Sequence, residues 1–460
     1  MTRPQDLVEA ALSASRSRAC VVLARHESVV NLRWARSTLT TNGETTGLSL
    51  GVVAIVEVDG GLAAGSVTAN SVSLDQVPDL VRAAEEAARR EGPADDAAEL
   101  AAGIEASADW ADEPVRATST DLAVLAPRLG ETFAAATADG IELFGYAELS
   151  TPTVYLGTSS GTRLRFAEPT SRLEQTAKSH ERSRSAWTGR SGTRFLGTEL
   201  DAMDAELRRG LAWQAHRLDV EAGRHPALLT ASAVADLMID LYWSSAARDA
   251  AQGQSVWSAP HGTRLSEQVA DPRVTLLSDP RRPGLETVPF VTATASSAYF
   301  SVFDNGLPLG PVRWIDRGAL TGLVSTRRTA AEAGLPHQPM VDNLVLEVEG
   351  GAGSLEDVIA RTDDALLVTC LWYNRVVDPQ TLLLTGLTRD GVYVVRGGEV
   401  VGAASNFRFN DSPVDLLRRV EDAGDPEPTL AREMADYFPR AVMPPLVVRD
   451  YNFSTVSLAS

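Results

Sequence analysis

The clearest periodic pattern in the chain lies just past its midpoint and is helical. Apolar residues recur there with helical spacing, at Val234, Leu237, Met238, Leu241 and Tyr242. Side chains separated by three, four and seven residues share one face of an α-helix. The pattern therefore predicts a helix over residues 231–246 with one buried face, preceded by a short apolar strand at 227–230.

Strand-like patterns dominate the beginning of the chain. Residues 29–39 and 46–57 form two such runs on either side of Asn42 and Gly43. Asn-Gly between two strand-like runs is a strong hairpin signal, because both residues adopt positive φ readily. We therefore expect an antiparallel hairpin that turns at residues 41–44.

Helical patterns interrupt the strands of the first half at irregular intervals. They cover residues 74–91, 120–138 and 198–218, with further strand-like runs between the last two. A parallel sheet would require regular alternation of strands and helices, and this part of the chain lacks it. The sequence therefore predicts an α+β fold whose N-terminal sheet is mainly antiparallel.

The length of the chain favours two domains. Its 460 residues exceed what one ordinary hydrophobic core accommodates. Gly223 and Pro226 interrupt the pattern that follows the helix predicted at 198–218, so the boundary is expected near residue 220. We predict an N-terminal domain at 1–220 and a β-rich C-terminal domain at 221–460.

The charge of the chain changes which partners are expected. It carries 42 Lys and Arg against 61 Asp and Glu, a formal net charge of −19. An acidic surface is repelled by the phosphates of nucleic acid, so we expect no nucleic-acid partner. The N-terminus lacks an apolar signal-peptide core, and no run approaches the roughly 20 apolar residues that span a bilayer. We therefore expect a cytoplasmic protein with no membrane partner.

The two cysteines, Cys20 and Cys370, are too few for a disulfide framework. Cys370 lies in the apolar run LLVTCLWYN, where a buried thiol usually behaves as a small hydrophobic group. A nucleophilic role would require a nearby base and a lowered pKa. Both interpretations remain open, and the structural one is favoured.

Histidines give no pattern typical of a metal site. His26-Glu27 is a His-Glu dipeptide, but the five residues after it contain no second histidine. The six histidines are scattered along the chain, at His26, His180, His216, His225, His261 and His337. The residues themselves therefore predict no histidine metal site.

Five segments in a fixed order carry a family resemblance across nearly the whole chain. They are WARSTLTTNGETTG at 34–47, QGQSVWSAPHGTRLSEQVADPRVTLLSDP at 252–280, PGLETVPF at 283–290, MVDNLVLEVEGG at 340–351 and the hairpin-rich run at 377–417. Together they resemble the TldD/PmbA family. The resemblance implies an N-terminal α+β domain and a β-rich C-terminal domain of unusual topology.

Catalytic members of that family carry HExxxH on the first helix of the C-terminal domain, and a later cysteine completes their metal site. Alignment back from residues 254–257 places the motif on residues 238–243. Met238 and Trp243 then occupy the ligand positions and Ile239 the position of the general base. Residues 227–260 contain no histidine and no cysteine follows Cys370. The resemblance therefore implies a TldE-like subunit with no catalytic residue and no cofactor of its own.

The resemblance also implies partners and a role. A TldE-like subunit is expected to pair with a TldD-like HExxxH subunit that holds zinc, and to help enclose small, unfolded or modified peptides. Polar residues in or beside strand-like runs of the family-like segments are candidates for the shared chamber or the interface, namely Asn343, Asn374, Arg375 and Asp378. Hydrogen bonding at turns and strand ends is the plainer interpretation of each.

Two other functions stay open at the level of sequence. One is a regulatory or binding protein, as the family's older label of gyrase modulator suggests. The other is an independent hydrolase that uses Cys370 with a histidine brought close by folding.

Overall fold

The structure is a computed structural model that describes residues 2–457. The elements of its first half are α1 (Pro4–Ala14), β1 (Ala19–Ala35), β2 (Thr38–Val58), β3 (Gly61–Asn70), α2 (Val77–Arg90), α3 (Ala126–Ala138), β4 (Glu142–Ser150), β5 (Thr153–Thr158), β6 (Arg163–Ala167), β7 (Thr170–Ser179), β8 (Arg184–Gly192) and α4 (Glu199–Trp213). Eight strands form one sheet in the order β3-β2-β1-β4-β7-β8, with β5 paired to β1 and to β6. Every pairing in it is antiparallel, so the predicted α+β class is confirmed.

The first hairpin turns earlier than the sequence predicts. Arg36 and Ser37, with φ of 53° and 55°, connect β1 to β2, so the turn predicted at 41–44 is wrong. Asn42 and Gly43 lie inside β2, where Gly43 pairs with Asn31. A Cβ at Gly43 would stand 3.1 Å from the Asn31 side-chain oxygen. Gly43 thus allows β1 and β2 to approach closely. The turn itself is formed by Arg36 and Ser37, which adopt positive φ although neither is Asn or Gly.

The elements of the second half are β9 (Gly223–Leu229), α5 (Ala231–Trp243), α6 (Ala247–Ala251), β10 (Ser258–Ala259), β11 (Gly262–Thr263), β12 (Val274–Ser278), β13 (Val312–Asp316), β14 (Ala319–Leu320), α7 (Arg327–Ala333), β15 (Leu344–Val348), α8 (Leu355–Ala360), β16 (Asp364–Val368), β17 (Leu371–Asp378), β18 (Leu383–Thr388), β19 (Val392–Arg396), β20 (Glu399–Ala403), β21 (Asn406–Asp411), α9 (Pro413–Leu417), β22 (Val420–Ala423), β23 (Glu427–Thr429), β24 (Ala441–Met443) and β25 (Leu446–Ser457). This half is β-rich, as predicted. A domain boundary at residue 220 remains a prediction.

Two sheets organise the second half. A six-stranded sheet has the order β14-β13-β12-β15-β24-β23, and a nine-stranded sheet has the order β17-β18-β21-β25-β9-β16-β19-β20 with β22 on β25. Helix α5 packs against β23 and β24 of the first sheet and against β9 and β17 of the second. Its apolar residues therefore belong to the largest hydrophobic core of the described chain.

The helix predicted at 231–246 is present as α5, with earlier termination. Thr230 is the N-cap residue, and its side chain accepts a hydrogen bond from the Ala233 N–H at 3.5 Å. Ser244 and Ser245 donate their hydroxyls to carbonyls of the last turn, Leu241 and Tyr242. These bonds satisfy carbonyls that a longer helix would use, so α5 ends at Trp243. None of the helices within residues 2–457 has the length and apolar character to cross a membrane.

Candidate functional site

The three positions of α5 that align with the family's metal motif are packing positions. Met238 and Ile239 are fully buried in the largest core, and Trp243 packs against the same core from its edge. The Trp243 ring meets Phe438 edge-on, with ring centroids 6.4 Å apart. None of these side chains is a zinc ligand of the usual His, Cys or carboxylate type.

Another face of α5 carries two carboxylates, one fully buried and one half-buried. Asp236 and Asp240 are one helical turn apart and so lie on the same side of the helix. Asp236 is fully buried and accepts hydrogen bonds from the backbone N–H groups of Glu433 (3.0 Å) and Met434 (3.3 Å). One oxygen of Asp240 is buried without a hydrogen-bond partner in the described chain. The segment after β23 is thereby fixed against the helix.

Glu433 and Arg375 complete this polar group. The Glu433 carboxylate accepts a hydrogen bond from the Tyr373 N–H at 3.0 Å and pairs with the Arg375 guanidinium at 3.3 Å. We call Asp236, Asp240 and Glu433 the α5 carboxylates. They come from two distant parts of the sequence, and only one cation, Arg375, is paired with them in the structure as described.

Burial dominates the protonation of Asp236 and Asp240. It raises the pKa of Asp236 well above its ordinary value, against the two backbone hydrogen bonds that lower it. Burial also raises the pKa of Asp240 to about 7, where the Glu433 charge adds to the increase and Arg375 opposes it. Asp240, which is half-buried, can therefore exchange a proton near neutral pH.

Two of the four predicted chamber residues lie at this group. Arg375 pairs with Glu433, and its guanidinium lies 5.0 Å from the centre of the Tyr373 ring. Asn374 is 4% exposed and faces the interior beside Gly386 of β18. Within residues 2–457, neither polar atom of its side chain has a hydrogen-bond partner. A chamber role for both residues remains a prediction.

The other two predicted residues lie elsewhere, in a loop contact and a turn. Asn343 accepts from the Asp279 N–H at 3.0 Å and donates to the Leu285 carbonyl at 2.7 Å, which holds the loop after β12. Asp378 accepts from the Gln380 N–H and the Thr381 hydroxyl at 3.0 and 2.8 Å. These bonds match the plainer interpretation, and the structure does not bring either residue to α5.

Cys370 is fully buried, and its neighbours are arginines. Its thiol donates to the Arg389 carbonyl at 3.0 Å, and the Arg432 guanidinium lies 2.9 Å from the sulfur. Burial raises the pKa of Cys370 to about 11, although Arg432 opposes the increase. The thiol form therefore predominates at neutral pH, which disfavours the nucleophilic interpretation.

The residues around α5 do not fit a catalytic zinc ion. Among residues 2–457, no group of three or more His, Cys, Asp or Glu side chains is arranged to hold a metal. The motif positions are apolar or aromatic, and Asp236 uses one oxygen to accept two backbone hydrogen bonds. No reaction step through a metal follows from this chain.

A cleft between the two halves of the chain opens at the N-terminus of α5. We call it the α5 cleft. It is open to solvent at its mouth and has an accessible volume of about 180 Å³. Its charged lining residues are Arg190, Glu206, Arg209, Glu356, Asp390 and Glu427. Four acidic and two basic side chains, together with Trp187 and Trp213, give an aromatic and mildly acidic surface.

The sequence contained one usable signal for the missed residues. Asp236 and Asp240 interrupt the apolar stretch ASAVADLMIDLYW at the spacing of one helical turn. Buried carboxylates so placed require a compensating environment, and that requirement could have identified them. Glu433 gave no such signal, because only the fold brings it to α5.

Comparisons with known proteins agree with this architecture. A family model described as the PmbA/TldA metallopeptidase C-terminal domain matches residues 222–455. The solved structure of TldE from Thermococcus kodakarensis aligns with a TM-score of 0.78 at 15% identity, over 97% of this chain and 99% of that one. A proposed modulator of a DNA gyrase from Thermotoga maritima gives 0.75 at 14% identity, with coverages of 97% and 99%.

A second proposed gyrase modulator, from Bacteroides thetaiotaomicron, aligns with a TM-score of 0.72 at 15% identity, over 98% of both chains. No curated protein matches the sequence. At such identities the structural likeness shows the fold alone. The family model covers half of the chain, and with it the conclusion is direct: this chain belongs to the PmbA/TldD family.

Proposed function

We propose that this chain is the non-metal-binding, TldE-like subunit of a heteromeric TldD/TldE metallopeptidase. The observation that carries the proposal is the packing of α5. Met238, Ile239 and Trp243 stand at the aligned motif positions and fill the hydrophobic core instead of facing a site. The helix is thus retained for stability, while zinc and bond cleavage belong to a TldD-like partner.

The proposed role of this chain is to bind and orient the substrate. Small, unfolded or modified peptides would enter a chamber shared with the partner, in the cytoplasm. The α5 cleft supports this role, because it is open and lined by aromatic and hydrogen-bonding side chains. Arg375 and Tyr373, both exposed beside the α5 carboxylates, are candidates for the surface that meets the partner or the peptide.

The test is to purify the chain alone and together with a TldD-like HExxxH protein. We expect no stoichiometric zinc in the lone chain by elemental analysis, and a stable complex by native mass spectrometry. Mass spectrometry of a peptide digest should detect cleavage with the complex only. Stoichiometric zinc or peptide cleavage in the lone chain would contradict the proposal.

The descriptions of two structural relatives suggest a second candidate, modulation of DNA gyrase. The net charge of −19 opposes direct contact with DNA but leaves contact with a protein open. A pull-down that recovers gyrase subunits without a TldD-like protein would favour this alternative. Activity of the lone chain that disappears in Cys370→Ala, with folding intact, would instead favour an independent hydrolase.

A further inference from the structure

A second cleft between the two halves of the chain has the opposite charge from the α5 cleft. It consists of two adjoining pockets that share Lys178, Arg182 and Asp390. The turn between β7 and β8 forms one wall, and the turn between β18 and β19 forms the other. Five cations line it, Lys178, Arg182, Arg217, Arg389 and Arg432, and we call it the basic cleft.

The charge balance of the basic cleft departs from that of the whole chain. Acidic residues outnumber basic ones by 61 to 42 overall, whereas Asp390 is the only acidic lining residue against five cations. Lys178 is also the single lysine of the chain. A concentration of one sign inside a cleft focuses the electrostatic potential on whatever enters it.

Part of this positive charge is neutralised and part is available. Arg432 pairs with Asp390, and Arg182 pairs with Glu142 at 2.7 Å on the rim. Lys178 and Arg217 have no ion pair within 4 Å anywhere in residues 2–457. Arg217 is therefore free to meet an anionic ligand, whereas Lys178 also faces Glu142 across the β4–β7 pairing, so a ligand would share the Lys178 charge with that carboxylate.

Aromatic rings hold the guanidinium groups of the basic cleft in place. Arg389 lies 5.3 Å from the centre of the Trp372 ring, and Arg432 lies 4.9 Å from that of Trp187. Stacking on a ring orients a guanidinium without neutralising it, so the edge of Arg389 stays available to a carboxylate or a phosphate, whereas that of Arg432 is engaged by Asp390 and the Cys370 sulfur. The Arg389 contact with Asp390 is long, at 3.6 Å, which leaves most of its hydrogen-bonding capacity unused.

We propose that the basic cleft binds the carboxylates of an acidic peptide segment. Small residues such as Ser183, Ser185, Gly391 and Ala404 line the space between the cations and leave room for a peptide backbone. The acidic remainder of the surface repels long polyanions but accommodates a short peptide with two or three carboxylates. Binding of such a peptide to the cleft is independent of the proposed function. Only the further step, that the peptide is a substrate of the complex, rests on that function.

The test is calorimetry on the isolated full-length chain with two matched peptides. Glu-Gly-Glu-Gly-Glu should bind, its affinity should fall as NaCl increases, and Gln-Gly-Gln-Gly-Gln should not bind. The double variant Lys178→Gln/Arg217→Gln should weaken binding about fivefold or more, because two exposed charge contacts are lost. Arg33→Gln is the matched control, since Arg33 is also exposed and without an ion pair within residues 2–457. This control should bind as the unchanged chain does.

Three results would overturn the proposal. They are equal binding of the two peptides, equal binding by the double variant and the unchanged chain, and tighter binding of inorganic phosphate or pyrophosphate at the same two residues. The last would assign the cleft to a phosphate-bearing ligand. The calorimetric measurement uses the isolated chain and needs no partner. Failure to form a complex with a TldD-like protein would therefore count against the proposed function alone and would not change the binding result.

Discussion

The α5 carboxylates and the basic cleft place charged side chains in opposite environments, and one short segment of the chain contributes to both. Arg432 and Glu433 are neighbours in sequence, yet Arg432 lines the basic cleft and Glu433 faces α5. Asp236 at α5 is fully buried, and one of its oxygens accepts two backbone hydrogen bonds while the other has no partner in the described chain. Arg217 in the basic cleft is exposed and free of ion pairs in the described chain.

The difference teaches which charges are available for a ligand. Burying a carboxylate costs solvation free energy, which the protein recovers by protonation and by hydrogen bonds, so the group becomes part of the fold. An exposed cation costs almost nothing and stabilises almost nothing. The α5 carboxylates should therefore matter for stability and pH dependence, and the basic cleft should matter for binding.

The largest effect is expected when a carboxylate is placed on α5 away from the existing group. Ile239→Glu would bury a charge in the apolar core without a partner, and should lower the free energy of unfolding by about 4 kcal/mol. Urea denaturation at pH 7 measures this change. The control Ile239→Val keeps the apolar surface and should cost only about 1 kcal/mol. Equal stability of the two variants would contradict the packing role of this helix face.

A smaller loss is expected when Asp236 no longer accepts its backbone hydrogen bonds. Asp236→Ala leaves the Glu433 and Met434 N–H groups without their acceptor and should destabilise the chain by about 2 kcal/mol. Asp236→Asn retains an acceptor oxygen of the same geometry without the buried acid, so it should stay within about 1 kcal/mol. If both variants unfold at the same urea concentration, the hydrogen bonds do not hold the segment after β23.

The pH dependence of stability should depend on Asp240. Folding raises the pKa of this carboxyl from 3.8 to about 7, so the folded state binds more protons between these values. Stability from this group is then complete below about pH 4 and is lost as pH rises towards 7. Three pKa units correspond to about 4 kcal/mol, which the partial exposure of Asp240 reduces to about 2 kcal/mol.

Asp240→Asn removes this titration and provides the measurement. Relative to the unchanged chain, the variant should gain about 1 kcal/mol of stability between pH 5 and pH 8, as determined by urea denaturation at both values. The charged groups that face Asp240 are Glu433 and Arg375, with Asp236 one turn away, and all three are unchanged in the variant. A stability difference independent of pH would show that Asp240 titrates as an ordinary exposed carboxyl.

The same contrast explains what the sequence could and could not predict. Local periodicity located α5, because the helical spacing of its apolar residues is set by backbone geometry. The antiparallel sheet followed from the irregular order of strands and helices. The turn at Arg36 and Ser37 was missed because neither residue has the turn preference of Asn-Gly, and the pairing of two long strands decided the position.

The candidate sites depend on contacts that no local pattern encodes. Arg375 meets Glu433 across 58 positions, and Lys178 lies in one cleft with Asp390 although they belong to different halves of the chain. Residues so far apart in sequence are brought together by sheet topology, which single-sequence periodicity does not specify. The absence of histidine from α5 was visible in the sequence, whereas the contacts of Asp236 with the segment around Glu433 were not.

The smallest effect on stability is expected in the basic cleft. Lys178→Gln removes an unpaired cation from the cleft wall and should change the free energy of unfolding by no more than about 0.5 kcal/mol, at low and at high salt. The control Arg33→Gln should change the free energy of unfolding by an equally small amount. A loss above about 1.5 kcal/mol for Lys178→Gln alone would mean that its charge holds the two walls of the cleft together. The basic cleft would then resemble the α5 carboxylates, because its Lys178 charge would stabilise the fold and would not be available to bind a ligand.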